Sequence, residues 1–289
     1  MQLRMHGMHN RNWRKGLRLA SLGAALAAGS FVASGGIIRH DVELEQYVRL
    51  AAEPAFRSVG RYADAADPDD VAGGVLVAPR WVLTASHFLG EQSTWTFGDK
   101  EVYHAVRVVR HPRVGQGPHE AQWSGFDLAL VELDRPVANV APAVRYRGRA
   151  EVGATVTKVG YGYVGNGRDG MKAPPTQMRL AGQNVIDAAG GELDGREFSS
   201  DVLAFDFDGP GAAEANRMGS PEPLPLEIGG SKGDSGGGVF LEEDGEWRLA
   251  GIVSGALSRQ IRYGAVAALA RVSSANDWID SVVGEPAKP

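Results

Sequence analysis

From Phe56 onward the apolar positions fall in short runs, rich in valine and aromatic residues, separated by turn residues. The runs are GGVLVAPRWVLTA (73–85), STWTFGD (93–99), YHAVRVVRH (103–111), DLALVELDRPV (127–137), ATVTKVGYGYVG (154–165), GGVFLEEDGEWRLAGIVSG (237–255) and AVAALARV (265–272). Runs of this length bounded by Gly, Pro and Asp read as strands, and many in succession predict a β-sandwich or barrel. Asp244-Gly245 between two such runs predicts a hairpin turn. Helical spacing occurs only near the two ends. DVELEQYVRLAA (41–52) predicts a short helix capped by Asp41, with Glu43 and Glu45 in its first turn. SSANDWIDSVV (273–283) places Ala275, Trp278, Ile279 and Val282 on one helical face, followed by a frayed GEPAKP tail. The segment 187–225 is rich in Gly, Asp and Pro and reads as long surface loops around one short strand, DVLAFDFD (201–208).

The N-terminus breaks this pattern. Arg11, Arg14, Lys15 and Arg18 form a basic block, and no charge follows until Arg39. A basic block, an apolar run and then small residues form the layout of a secretory signal, expected here over 1–36 with cleavage after Ser34-Gly-Gly36. The competing reading is an uncleaved membrane anchor. Composition narrows the picture further. A formal net charge of −5 gives no reason to expect nucleic-acid binding. The chain has no cysteine, which removes disulfides, cysteine-ligated zinc and a thiol nucleophile. An exported fold of this sequence therefore has to hold by packing alone.

The candidate chemistry starts at GGSKGDSGGGVF (229–240), half of whose residues are glycine. So much glycine costs backbone entropy and offers a core nothing to pack, so the backbone there adopts shapes other residues cannot reach. Ser235 sits inside it. WVLTASHF puts His87 just past an apolar strand, and GFDLALVEL puts Asp127 at the mouth of another. Acyl transfer by serine needs a hydroxyl, an imidazole to take its proton and a carboxylate to fix the imidazole tautomer.

WVLTASH, DLALVEL and GDSGGG, in that order, resemble the motifs of the trypsin/chymotrypsin family of serine proteases, and GYG (160–162), GIVSG (251–255) and RVSSANDWI (271–279) resemble its strand and terminal-helix segments. The order His, Asp, Ser fits this family and not subtilisins or α/β-hydrolases. The resemblance spans about Ile37 to Val283. It implies an all-β fold of two antiparallel six-stranded β-barrels with a C-terminal helix. The first barrel would occupy about 56–145, the second about 153–272 and the helix about 273–283, within a protease domain over 37–285. It also implies an exported serine endopeptidase, secreted or periplasmic, that hydrolyses peptide bonds through an acyl-enzyme. Ser235 would be the nucleophile, His87 the base and Asp127 its orienting acid, supported by Ser254. The N–H groups of Gly233 and Ser235 would form the oxyanion hole. No cofactor, metal, nucleic acid or stable membrane association is implied. A protein or peptide substrate and a monomeric state are expected.

Asp234 has two readings, a turn aspartate and, by resemblance, a buried carboxylate paired with a mature N-terminal ammonium on Ile37. The specificity pocket would have Gly229 at its floor, with Ala256 and Ala267 in its walls. That excludes a trypsin-like preference for Lys or Arg and favours small or medium apolar side chains. Phe88 stands where many family members carry a disulfide cysteine. His104, His111 and Lys232 read as structural or surface groups, and a calcium site at Asp206 and Asp208 is the weaker reading of that pair. Two other functions stay open: a protease-fold protein that binds without cleaving, and an esterase or narrow peptidase using the same acyl chemistry.

Overall fold

Strand β1 (Gly36–Ile38) opens the described chain and is followed by helix α1 (Leu44–Ala51). The helix begins later than its expected cap. Asp41 is taken by the Arg39 guanidinium, with Nε and Nη2 at 3.0 and 2.8 Å, so Glu43 stands at the N-cap without a side-chain bond. Tyr47 and Ala51 face inward. The computed structural model describes residues 36–284, apart from 65–69, 91, 99–100, 116–117, 174–177 and 259–260. The expected signal segment, except for Gly36, and all of the tail past Gly284 lie outside the described residues.

Six strands then close a barrel: β2 (Val59–Asp64), β3 (Val71–Ala78), β4 (Trp81–Thr84), β5 (Ser93–Thr96), β6 (Val102–Arg110) and β7 (Ala129–Leu133), in the order β2-β3-β4-β7-β6-β5. Every pairing is antiparallel, and closure leaves no free edge. Tyr62, Leu76, Val82, Trp95, Tyr103 and Val131 fill it. Between β6 and β7 the chain forms a helix that the apolar pattern did not predict, α2 (Pro118–Ser124). Its one early signal was Pro118, a residue suited to a first helical turn.

The second half begins with β8 (Val144–Arg145) and β9 (Thr155–Gly160), then β10 (Val164–Asn166), β11 (Gly170–Ala173) and β12 (Leu180–Val185). It continues through β13 (Ala188–Leu193), β14 (Arg196–Asp206), β15 (Ile228–Gly229), β16 (Gly238–Glu243), β17 (Glu246–Ala256) and β18 (Val266–Arg271) to helix α3 (Asn276–Val283). Eight of these strands form one sheet, with the main path β12-β9-β16-β17-β18-β14-β13 and β8 paired to β17. The first six strands of that path curl round, but β12 and β14 are bridged by a side chain rather than a ladder: Asn184 Nδ2 donates to Asp206 O at 2.8 Å and Ile228 O at 3.2 Å. The strands β11-β10-β1-β15 form a separate four-stranded sheet.

The first part of the segment read as surface loops around one short strand is instead a long hairpin, β13-β14, turned at Asp194-Gly195 with φ of 53° and 78°, while 207–225 holds loops and a 3-10 turn at Ala213–Ala215. Two positive φ values suit an Asp-Gly turn, the same signal that marks the Asp244-Gly245 hairpin. It was hidden by the polar residues of GGELDGRE around it.

With no disulfide available, guanidinium hydrogen bonds join distant segments. Arg179 donates to the carbonyls of Ala51, Phe56 and Val59 at 2.7–3.0 Å, tying α1 and β2 to the second half. Arg271 pairs with the buried Glu151, which also accepts from Ser273 Oγ at 2.9 Å. Val59, Val75, Leu83, Leu130, Phe240, Leu249, Ile252 and Ile279 pack together between the two halves, and the candidate site lies along that seam.

Candidate active site

Pairing of β4 with β7 sets Thr84 against Ala129, so the chain leaving β4 meets the chain entering β7. This brings His87 to Asp127. Asp127 is fully buried. Its Oδ1 accepts the N–H groups of Ser86 and His87, both at 3.0 Å. Its Oδ2 meets His87 Nδ1 at 2.6 Å and accepts from Ser254 Oγ at 2.7 Å. Four partners saturate the carboxylate and fix the ring. Nε2 is then left facing Ser235 Oγ at 3.0 Å.

Ser235 comes from the other half. Its turn is sewn to β3 by Gly73 N–H donating to Ser235 O at 2.8 Å, and to β17 by Gly236 N–H donating to Val253 O at 2.7 Å. Gly236 has φ +78°, and a Cβ there would lie 2.0 Å from Gly73 O and 2.2 Å from Thr84 Oγ1. The first glycine after Ser235 is thus dictated by close approach of the barrel backbone. Gly233 has φ +86°. Among the described residues, neither its N–H nor that of Ser235 is donated to a protein acceptor. Two free donors beside a serine Oγ can stabilise an oxyanion there.

The structure brings His87, Asp127, Ser235 and Ser254 together and sets Gly233 and Asp234 in the same turn. It does not bring Ile37 to Asp234. Ile37 is the middle residue of β1, opposite Gly165 on one side and Gly229 on the other. Asp234 instead meets Lys158 of β9, Nζ to Oδ2 at 2.6 Å, with both side chains wholly buried. The sequence reading missed Lys158. Its only signal was a cation inside the apolar run ATVTKVGYGYVG.

Beside Ser235 lies a cavity of about 220 Å³ whose lining includes Gly230, Val253, Ala256, Ala265 and Ala267. Ala256 and Ala267 both line it. Gly229 does not line it: the residue is buried in β15, and a Cβ there would press on the Phe207 ring at 2.9 Å. Gln122 of α2 joins the rim and donates to Ser254 O at 3.2 Å. Lys232 also borders the cavity, with its Nζ 5.4 Å from the centre of the Tyr163 ring.

Two other histidines the sequence singled out, His111 and His104, lie away from this site. His111 is buried and stacked on Phe126, its ring edge-on to Trp278 of α3, and Arg113 N–H donates to its Nδ1. Burial pushes its pKa down to about 4. His104 lies on β6, its N–H donating to Asp134. Among the described residues, no group of three or more His, Asp or Glu side chains is arranged to hold a metal ion. No helix among them is long and apolar enough to cross a membrane.

The family model described as Trypsin matches residues 55–217. The chain belongs to the Trypsin family. The matched stretch contains His87 and Asp127 and ends before Ser235, which enters through the tertiary contact. Transmembrane protease serine 9 of Rattus norvegicus is 24% identical over 82% of this chain and 23% of its own length. Beta-fibrinogenase mucrofibrase-4 of Protobothrops mucrosquamatus is 29% identical over 41% of this chain and 48% of its own. The chain therefore spans under half the length of either of these relatives. Among solved structures, neuropsin, a serine protease expressed in the limbic system of mouse brain, superposes with a TM-score of 0.60 at 17% identity, over 80% of this chain and 97% of its own. That likeness establishes a chymotrypsin-like β fold.

Proposed function

We propose that this chain is an exported serine endopeptidase. The observation that carries the reading is the continuous relay Asp127–His87–Ser235, with contacts of 2.6 and 3.0 Å, ending beside two undonated N–H groups. Ser235 Oγ attacks the scissile carbonyl carbon while His87 Nε2 takes its proton. Asp127, held by Ser254, keeps Nδ1 protonated and stabilises the imidazolium. The N–H groups of Gly233 and Ser235 receive the oxyanion, each worth about 3–4 kcal/mol in the transition state. His87 then protonates the leaving amine, and water hydrolyses the acyl-enzyme by the same route. The alanine-lined cavity suits a small or medium apolar side chain of a peptide substrate. Export follows from the basic and apolar N-terminal layout.

The test is the intact mass of the protein before and after a serine-reactive phosphonate, with Ser235→Ala beside it. One adduct on the wild type and none on the variant is expected, together with a loss of peptide hydrolysis of about 10⁴-fold or more in the variant. A wild-type chain that takes no adduct would sink the reading in favour of a protein that binds without cleaving.

A further inference from the structure

Asp234 lies between the two residues whose N–H groups face the oxyanion position, so whatever holds its carboxylate also sets that turn. Its Oδ1 accepts from Gly162 N–H at 3.1 Å. Its Oδ2 accepts from Ser231 N–H at 2.8 Å, Ser231 Oγ at 3.0 Å and Lys158 Nζ at 2.6 Å. Lys158 Nζ donates once more, to Gly229 O at 3.1 Å. A fully buried lysine is expensive to desolvate, and only a well-made partner repays it. The surrounding chain is shaped around this ammonium. Gly36 passes it with φ +137°, and a Cβ at that position would lie 3.1 Å from Nζ and 2.8 Å from Ile228 Cδ1. The Gly36 N–H is turned away to Tyr163 O at 3.1 Å.

We infer that Lys158 is a positioning residue of this site: its ammonium, supplied from within the sheet, holds Asp234 and keeps the Gly233–Ser235 turn ready for an oxyanion without a cut N-terminus. The inference rests on the serine-peptidase reading above. It changes how that activity is controlled. The place an N-terminal ammonium would fill is occupied by a side chain of the uncut chain, so no processing step before Ile37 is needed to form the oxyanion hole. Lys158 acts through Asp234 and touches no reacting atom.

The experiment compares wild type, Lys158→Met, and the double variant Lys158→Met/Asp234→Asn, which removes both charges together. Each is melted, labelled with the phosphonate and assayed on a peptide substrate. Losing the organised oxyanion turn should lower kcat and the labelling rate about 100-fold or more, the scale of a lost oxyanion donor, with KM within about threefold. The double variant should melt closer to the wild type than the single one does, yet label as slowly. Either folded variant labelling at the wild-type rate overturns the inference and leaves the peptidase reading standing. A wild type that never labels overturns both. The wild-type chain also answers without any variant. Protein whose intact mass shows residues before Gly36 still attached should label at full rate, whereas labelling that waits for a cut exposing the Ile37 amine would overturn the role of Lys158.

Discussion

Two groups of buried acids in the second half of the molecule meet opposite fates. Asp234 has a lysine ammonium at 2.6 Å and three further donors. Asp206, Asp208 and Glu227 are also buried, with Asp187 close by, yet among the described residues none of these four is in an ion pair. Arg217 gives Asp206 only its backbone N–H, and its guanidinium goes to Asp194. Among the described residues, the Oδ1 of Asp206 has no hydrogen-bond partner. Burial and mutual repulsion push Asp187 up to about 6, Asp208 to about 7 and Glu227 to about 8. An acid out of water must find a cation or keep its proton. At Asp234, next to Ser235, the fold provides the cation. At the open end of the β13-β14 hairpin, burial without a cation favours the protonated acids.

The sharpest way to break this contrast is Asp234→Ala. It strands Lys158 as an uncompensated buried charge, and urea denaturation should show a loss of about 3–5 kcal/mol. Asp206→Asn, which keeps the acceptor for Arg217 and Met218, should cost far less in the same measurement; equal losses would erase the distinction. Asp127 offers an intermediate case, a buried acid whose fourth partner is a hydroxyl. Ser254→Ala should cost about 1 kcal/mol, read as a fall of about five- to tenfold in kcat with KM little changed.

The smallest effect is a pH dependence. Acids with folded pKa values of about 6, 7 and 8 hold protons that the unfolded chain, with ordinary values near 4, has already released. Their contribution is present at low pH and is lost as pH rises through those values. His111, pushed down to about 4, acts the other way, since the unfolded chain binds its proton below about 6.5 and stability is lost as pH falls through that window. Above pH 6.5 only the acids contribute, so Tm should fall between pH 6.5 and 8.5. Asp208→Asn should flatten that slope, and an unchanged slope would remove Asp208 from the account.

Legibility followed the range of the signals. Strands β3 to β7 could be read because each lies in a short apolar run between turn residues, whereas β2, VGRYAD, was not among those runs; α3 could be read because its inward positions repeat at helical spacing. The first arm of the β13-β14 hairpin was missed because AAGGEL and the REFSS after the turn mix glycine and polar residues with isolated apolar ones, although Asp194-Gly195 marked the turn; only the end of the second arm was read, as the strand over 201–208. His87, Asp127 and Ser235 could be nominated because each follows or precedes a buried run within a distinctive local pattern. Lys158 could not, because a cation in a strand is neutral information until the residue facing it is known.

The sequence by itself determined the β character, the absence of any disulfide, the identity of the candidate nucleophile and the glycines of its turn, because these depend on composition, local spacing and backbone freedom. The tertiary structure decided which charges meet. Asp234 lies 76 residues from Lys158 along the chain and 2.6 Å away in space. The pairing of β9, which holds Lys158, with β16, which follows Asp234, turns that separation into contact. Electrostatic partners are chosen by distance and desolvation, and neither exists until the sheet has formed.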